Sequence, residues 1–333
     1  MKNKKIIIVL LMILFLSTGC TKQLKNEKGE VVKNPDTGQV LPSNIICAPT
    51  DKDNIKLYNE TNKKLVEKYK KELEDGNISK KEYKKKVNNL TNIDELVDCK
   101  KFTPASNGYD GLWSTFFVKT LSWILIQIGN ICKNYGLSII IATILIRLAL
   151  YPITVKTAKQ SESLKEAKPE LDKLEKKYAN KTDQDSMMKK SQEMMLIYKK
   201  YNINPLSGCL FAFLQIPLFL AFYEALNRLP ILFEDKLIFE MSMTPFNGMS
   251  HGNYLYLILP ILVALTTYFS FKLNKGAGMG GQQEKQMNTM MMVMMFMIVF
   301  MSFTMSTAIV FYWITNSAFT IIQNLLVKIK RSK

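Results

Sequence analysis

From residue 136 onward the chain carries repeated runs of about 18 or more mostly apolar residues, the length that crosses the hydrocarbon core of a bilayer as a helix. No feature constrains the fold more, because backbone polar groups in lipid must find partners inside the protein. Five spans are read, at 136–155, 205–227, 254–272, 287–305 and 308–327. The expected fold class is an all-α polytopic membrane protein, in which the bilayer replaces a globular core.

The first twenty residues read as an address. Lys2, Lys4 and Lys5 precede the apolar run Ile6 to Leu16, and Ser17-Thr18-Gly19-Cys20 follows. That is a secretory signal, 1–19, too short for a permanent span. Its Gly-Cys end resembles a bacterial lipobox, with Ser17 where that motif usually has Leu. Cys20 is the expected lipidation site, which makes the mature chain a lipoprotein anchored outside the cytoplasm.

Residues 20–111 are polar and Lys-rich. Leu57, Leu65, Tyr69 and Leu73, then Tyr83, Val87 and Leu90, recur at helical spacing on either side of Asp75-Gly76-Asn77. Two helices are expected, in a small extracytoplasmic domain or a tether. Cys47 and Cys99 lie here, where either a disulfide or two free thiols would suit the compartment. Cys132 and Cys209 stand in apolar surroundings as packing residues.

Residues 112–135 mix Lys119, Gln127, Asn130 and Lys133 with apolar residues, which suits an amphipathic helix in the membrane interface. Between the first two spans, 156–204 holds twelve Lys against eight acids. Leu171, Leu174 and Tyr178, then Met187, Met194, Tyr198 and Tyr201, mark a cytoplasmic helical hairpin broken at Asn180 to Asp183. The outer loop 228–253 has few basic residues, the loop 273–286 is Gly-rich, and 328–333 is a basic tail. This pattern places the C-terminus in the cytoplasm.

The net charge of +17 has no nucleic-acid motif beside it, so sequence-specific nucleic-acid binding is not expected. His251 is the only histidine, and the glycines at 276–281 lack the strand and Gly-Lys-Ser/Thr ending of a phosphate loop. No enzyme chemistry and no cofactor is expected. The methionines from Met287 to Met297 read as packing or lipid-facing residues rather than a copper site.

Arg147 is the sharpest signal. It stands in Ile144-Leu145-Ile146-Arg147-Leu148-Ala149-Leu150, nine residues and about 13 Å before Lys156 on a straight helix. A charge at that depth costs about 2.5 to 3.5 kcal/mol on insertion scales, and arginine does not escape by losing its proton. No other span offers a mid-depth acid, since Glu224 lies near the outer end of the second. Arg147 is therefore expected to face a water-filled cavity. Thr143 and Thr154 share its helix face, Trp313, Asn316, Thr320 and Gln323 cluster on the fifth span, and Gln215 lies mid-way along the second. Thr266 and Ser270 share a face on the third. Together these describe an intramembrane polar groove.

These residues resemble the YidC/Oxa/Alb family of membrane protein insertases. The resemblance runs through Thr143 and Arg147 before Leu150-Tyr151-Pro152, Asn204-Pro205 with Gly208-Cys209 and Gln215-Ile216-Pro217-Leu218-Phe219, and Phe311-Tyr312-Trp313 with Asn316 and Gln323. It covers about residues 112–327. Ser306-Thr307-Ala308-Ile309 departs from the family's Pro-Ala-Gly-Leu, and Ser270 stands where a Gln is common. The resemblance implies a substrate groove of Thr143, Arg147, Gln215, Ser270, Trp313, Asn316 and Gln323. It implies nascent membrane proteins and membrane lipids as partners, with the Sec translocon and the ribosome beside them. An ion channel or transporter using the same cavity is the alternative class, although it would call for inverted repeats or several mid-span ionisable groups.

Overall fold

The computed structural model describes residues 21–181, 183–204, 207–274 and 281–332. The expected signal segment with Cys20, the start of the second span at Pro205 and the loop glycines at 276, 278 and 280 lie outside these, as does the side chain of Cys209. Among the described residues ten helices exceed two turns: α1 Lys52–Glu74, α2 Lys80–Asn88, α3 Lys119–Cys132, α4 Tyr135–Ala149, α5 Tyr151–Tyr178, α6 Gln184–Lys200, α7 Ser207–Asn227, α8 Ile258–Asn274, α9 Gly281–Ser302 and α10 Thr307–Ser332. Among the described residues β-structure is limited to isolated bridges.

By length and apolar content, Gly111–Cys132, Tyr254–Leu273 and Thr307–Lys330 can each cross a membrane, and α4 with α5 forms a fourth candidate bent by 72°. The apolar stretch Asn288–Ser302 is shorter. The polytopic helical class is thus observed, while the number five stays an expectation. The bend corrects the straight first span 136–155. Leu150 is not part of either helix, and Pro152 at the start of α5 has no N–H to continue the ladder of α4.

The chain forms two compact units. One comprises the residues up to Ala142, Pro217–Leu257 and Thr304–Phe311; the other comprises Thr143–Ile216, Ile258–Phe303 and Tyr312–Lys333.

In the first unit the polar segment proves to be a folded domain rather than a tether. Bridges Gln23↔Pro42, Lys25↔Val31 and Lys33↔Val40 turn residues 23–42 back on themselves. Leu24, Leu41 and Ile45 pack with Tyr58 of α1 and Ile93. Asp51 starts α1 by accepting from the Asn54 N–H at 2.7 Å, and Gly76 supplies the left-handed residue (φ 74°) just after it ends. The buried face of α1 is Tyr58, Thr61 and Leu65. It is rotated from the expected stripe because the Tyr58 hydroxyl donates to the Pro42 carbonyl at 2.6 Å while its ring fills the core. Cys47 and Cys99, both buried, form a disulfide that closes the domain.

The same unit docks this domain on the loop after α7. Ile46 N–H donates to Arg228 O at 3.0 Å, and Arg228 Nε donates to Asn44 O at 2.7 Å. Glu234 accepts from the backbone of Thr50 at 2.6 Å and of Asp51 at 3.1 Å. Thr244 N–H donates to Thr37 O at 2.9 Å. The loop's other side holds the start of α10, where Thr307 and Ala308 donate to Met243 O and Met241 O.

The segment 111–132 departs from the expected polar face at Lys119, while Asn130 and Lys133 are exposed as expected. Lys119 and Ser122 are buried, and Phe116, Phe117 and Ile131 are exposed. Lys119 Nζ donates to Ser106 O at 2.8 Å and Gly108 O at 2.6 Å, so carbonyl oxygens of the domain replace its water. An apolar outer face is what a lipid environment covers. Lys133 then takes a left-handed conformation (φ 55°) to turn the chain into α4.

In the second unit, α5 and α6 form the expected hairpin. Ala167, Leu171, Tyr198 and Ile203 are its core, with Leu164, Met194, Ile197 and Tyr201 against them. Met187, expected in the stripe, is exposed because it lies in the first turn of α6, beyond that core. Lys165 donates from α5 to Leu273 O at 2.7 Å, capping the last turn of α8.

Candidate functional site

The polar site lies within the second unit and is built from α4, α5, α7, α8 and α10. Arg147 projects from the last turn of α4, and its side chain is 3% exposed. Nε donates to Asn316 Oδ1 at 2.6 Å, and Nη2 donates to Gln215 Oε1 at 2.7 Å and also to Asn316 Oδ1. Where a water-facing guanidinium is expected from the sequence, the structure has an amide cradle. The reason is geometric: a planar guanidinium presents several donors in one plane, and two carboxamide oxygens reach them from different helices.

No carboxylate forms an ion pair with Arg147 among the described residues. The hydrogen bonds from its Nε and Nη2 go to neutral groups, which stabilise the positive charge without cancelling it. The 72° bend leaves Arg147 two residues from the end of its helix, so the straight-helix depth no longer applies. Its partner supplies the depth instead. Asn316 stands about 13 Å of helix rise after Thr307 and about 18 Å before Lys328. The cradle is therefore in the middle of α10.

One turn further along α10 the polar contacts continue. Thr320 Oγ1 donates to Asn316 O at 2.9 Å, which ties it to its own helix. Thr154, just past the bend in α5, donates to Gln323 Oε1 at 3.0 Å. The bend breaks the helical-wheel argument that linked Thr154 to Arg147, yet it turns Thr154 toward α10. Trp313 Nε1 donates to Thr267 Oγ1 at 2.9 Å. Thr143, Asn316 and Gln323 are buried, as is Ser270, whereas Trp313 and Gln215 are half-buried.

On α8 the polar face is Thr267 with Ser270. Thr266 instead returns its hydroxyl to Leu262 O at 2.7 Å. Both threonines share a face with Ser270 on a helical wheel, so spacing alone does not choose between them; Val263, Thr267 and Ser270 form the buried stripe. Tyr312, fully buried beside Asn316 on α10, is a further lining residue that sequence reading passed over as part of an aromatic motif.

A second polar cluster belongs to the first unit. Trp113 Nε1 donates to Glu224 Oε1 at 3.0 Å, and Arg228 donates to Ser114 Oγ and Asp110 Oδ2, each at 2.7 Å. Desolvation works against the Asp110 charge, but the Arg228 and Ser114 hydrogen bonds outweigh it and hold its carboxyl below the usual range.

The family model described as "60Kd inner membrane protein" matches residues 127–333, a stretch that contains every residue of the Arg147 site. A membrane protein insertase YidC of Oceanobacillus iheyensis is 37% identical over 229 residues, covering 67% of this chain and 86% of its own. The chain belongs to the YidC family. Its YidC-family relatives include the membrane protein insertase YidC 2 of Listeria innocua, 35% identical over 67% of this chain and 75% of that one. Another is the insertase MisCA of Bacillus subtilis, 33% identical over 65% and 79% respectively. A solved structure of an active YidC insertase has a TM-score of 0.41 at 17% identity, covering 76% of this chain; the match spans about half, 51%, of that longer chain. Together with its apolar helices, family membership makes the protein a multi-pass bacterial membrane protein.

Proposed function

We propose that this protein inserts nascent membrane proteins into the bilayer, using the Arg147 cradle to receive their short polar segments. The observation that carries this reading is a buried guanidinium held by Asn316 and Gln215 rather than by an acid. The relatives' shared designation as membrane protein insertases supports it.

The energetics are coherent. An acidic substrate residue costs about 2.5 to 3.5 kcal/mol at the centre of a membrane helix. At about 5 Å from Arg147, with an effective dielectric near 20, Coulomb attraction returns about 3 kcal/mol. The two terms are equal in size, so a carboxylate could pass without being trapped. Thr143, Ser270, Trp313 and Gln323 extend the site with hydrogen-bonding groups for uncharged polar stretches. The apolar segment that follows gains its burial in lipid, and the process needs neither nucleotide nor cofactor.

In this reading Cys20 is lipidated, residues 20–111 lie outside, and α5, α6 and the basic tail are cytoplasmic. The hairpin and tail receive the substrate from the ribosome, alone or beside the Sec translocon. A channel or transporter is disfavoured, because the Arg147 cation is already held by neutral side chains of its own unit.

The test is insertion of a short single-span substrate with an acidic outer segment into liposomes containing the purified protein. Asn316→Leu removes the main acceptor and should cut insertion at least tenfold. Unchanged insertion by well-folded Asn316→Leu protein would remove the cradle from the mechanism.

A further inference from the structure

Helix α2 has the sequence Lys80-Lys81-Glu82-Tyr83-Lys84-Lys85-Lys86-Val87-Asn88, with five lysines against one acid. It buries none of its residues. Lys86 is used within the domain, pairing with Glu72 at 2.8 Å and lying over the Tyr69 ring. Lys80, Lys81, Lys84 and Lys85 are exposed, and none forms an ion pair among the described residues. On α1, by contrast, seven lysines are interspersed with five acids, and Lys56 and Lys70 stand opposite Glu60 and Glu74.

The arrangement works against the helix. Lys80 with Lys84, and Lys81 with Lys85, are like charges one turn apart, each pair unfavourable by a few tenths of a kcal/mol. A nine-residue helix is too short to persist on its own propensity. Its second arm is nevertheless fixed by the Ser79 cap, with Glu82 N–H donating to Ser79 Oγ at 3.2 Å, and by the Lys86–Glu72 pair. The fold thus holds a short, uncompensated row of ammonium groups toward solvent. An anionic partner would turn the repulsion into binding energy.

We propose that the Lys80, Lys81, Lys84 and Lys85 face of α2 is a docking site for a flexible linear polyanion carrying phosphate groups. Lysine suits this partner, because its ammonium is a mobile point charge that follows a flexible chain and asks for no fixed bidentate geometry. A lipid surface fits less well. Tyr83 and Val87 are half-buried within the domain, so α2 has no apolar outer face to enter the headgroup region.

The experiment uses the full chain in neutral phosphatidylcholine nanodiscs and inorganic long-chain polyphosphate as the probe. Four phosphate contacts on a flexible chain predict a slope of log affinity against log salt of about −3, or roughly a fiftyfold loss between 50 and 200 mM salt. Changing Lys80, Lys81, Lys84 and Lys85 together to Gln should remove most of that slope. Gln keeps helix propensity and relieves the like-charge pairs, so the fold should survive. Lys56→Gln with Lys70→Gln, which removes paired lysines, should leave it unchanged. Polyphosphate binding that the α2 variant does not weaken would overturn the proposal, as would no binding at 50 mM salt. Preferential binding to phosphatidylglycerol vesicles, uncompeted by polyphosphate, would also overturn it and point to the membrane.

Discussion

Removing the disulfide should loosen one part of the molecule by a calculable amount. Cys47 and Cys99 are 52 residues apart in sequence, and both are buried. Closing a loop of that length lowers the entropy of the unfolded segment by an amount worth about 4 kcal/mol. The bridge also sits among the contacts that dock the domain. Ile46 beside Cys47 donates to Arg228 O, and Asn107 after Cys99 donates to Ile46 O at 2.7 Å. Cys47→Ala with Cys99→Ala should therefore cost the domain about 4 kcal/mol, or about a thousandfold in its opening equilibrium. The assay is native-state hydrogen exchange of the full chain in nanodiscs. Amides around Tyr58 and Leu65 should exchange about a thousandfold faster, and amides around Asn316 should not change. Acceleration below about fivefold would show that hydrophobic packing around Tyr58, not chain closure, holds the domain together.

Further expectations concern single residues. Glu234→Gln weakens the acceptor for Thr50 and Asp51 and should cost about 1 to 2 kcal/mol of docking, read as faster proteolysis of the 228–252 loop. The Asp110 carboxyl titrates below its unfolded value, so its contribution is whole above about pH 4 and is lost as pH falls through the lower folded pKa. Asp110→Asn should erase that part of the acid transition, followed by exchange at Arg228 and its neighbours. Gly129→Ala places a Cβ against the Tyr135 ring with no room for it and should destabilise the α3–α4 turn by about 1 to 3 kcal/mol; a loss of folded yield that Tyr135→Ala partly restores would confirm the clash.

The membrane helices were legible because hydrocarbon allows few alternatives, and Arg147 because a buried charge is costly enough to stand out. The identity of its partners was within reach, since Gln215 and Asn316 were both singled out as polar groups in apolar runs. Their role as a neutral cradle was not, because helical spacing reports which residues share a face and not which face meets which. The bend at Leu150 was marked by Tyr151-Pro152 but not its size, which depends on packing beyond the local chain. Lys119 shows the opposite failure. Its polarity suggested a wet face, whereas carbonyls of the segment just before its helix took the place of water around the ammonium. The domain at 21–110 was half legible for the same reason: its helices have periodicity, but the bridged segment 23–42 that covers Tyr58 has none.

In the proposed function Arg147 and its amide cradle do the work of insertion. The most direct test is expression of this chain in a bacterium depleted of its own insertase, with membrane insertion of a small Sec-independent subunit as the readout. The native chain should rescue insertion, Arg147→Ala at equal membrane abundance should lose most of that rescue, and Arg147→Lys, which keeps the charge and loses the fork, should retain part of it. Full rescue by Arg147→Ala would contradict that role.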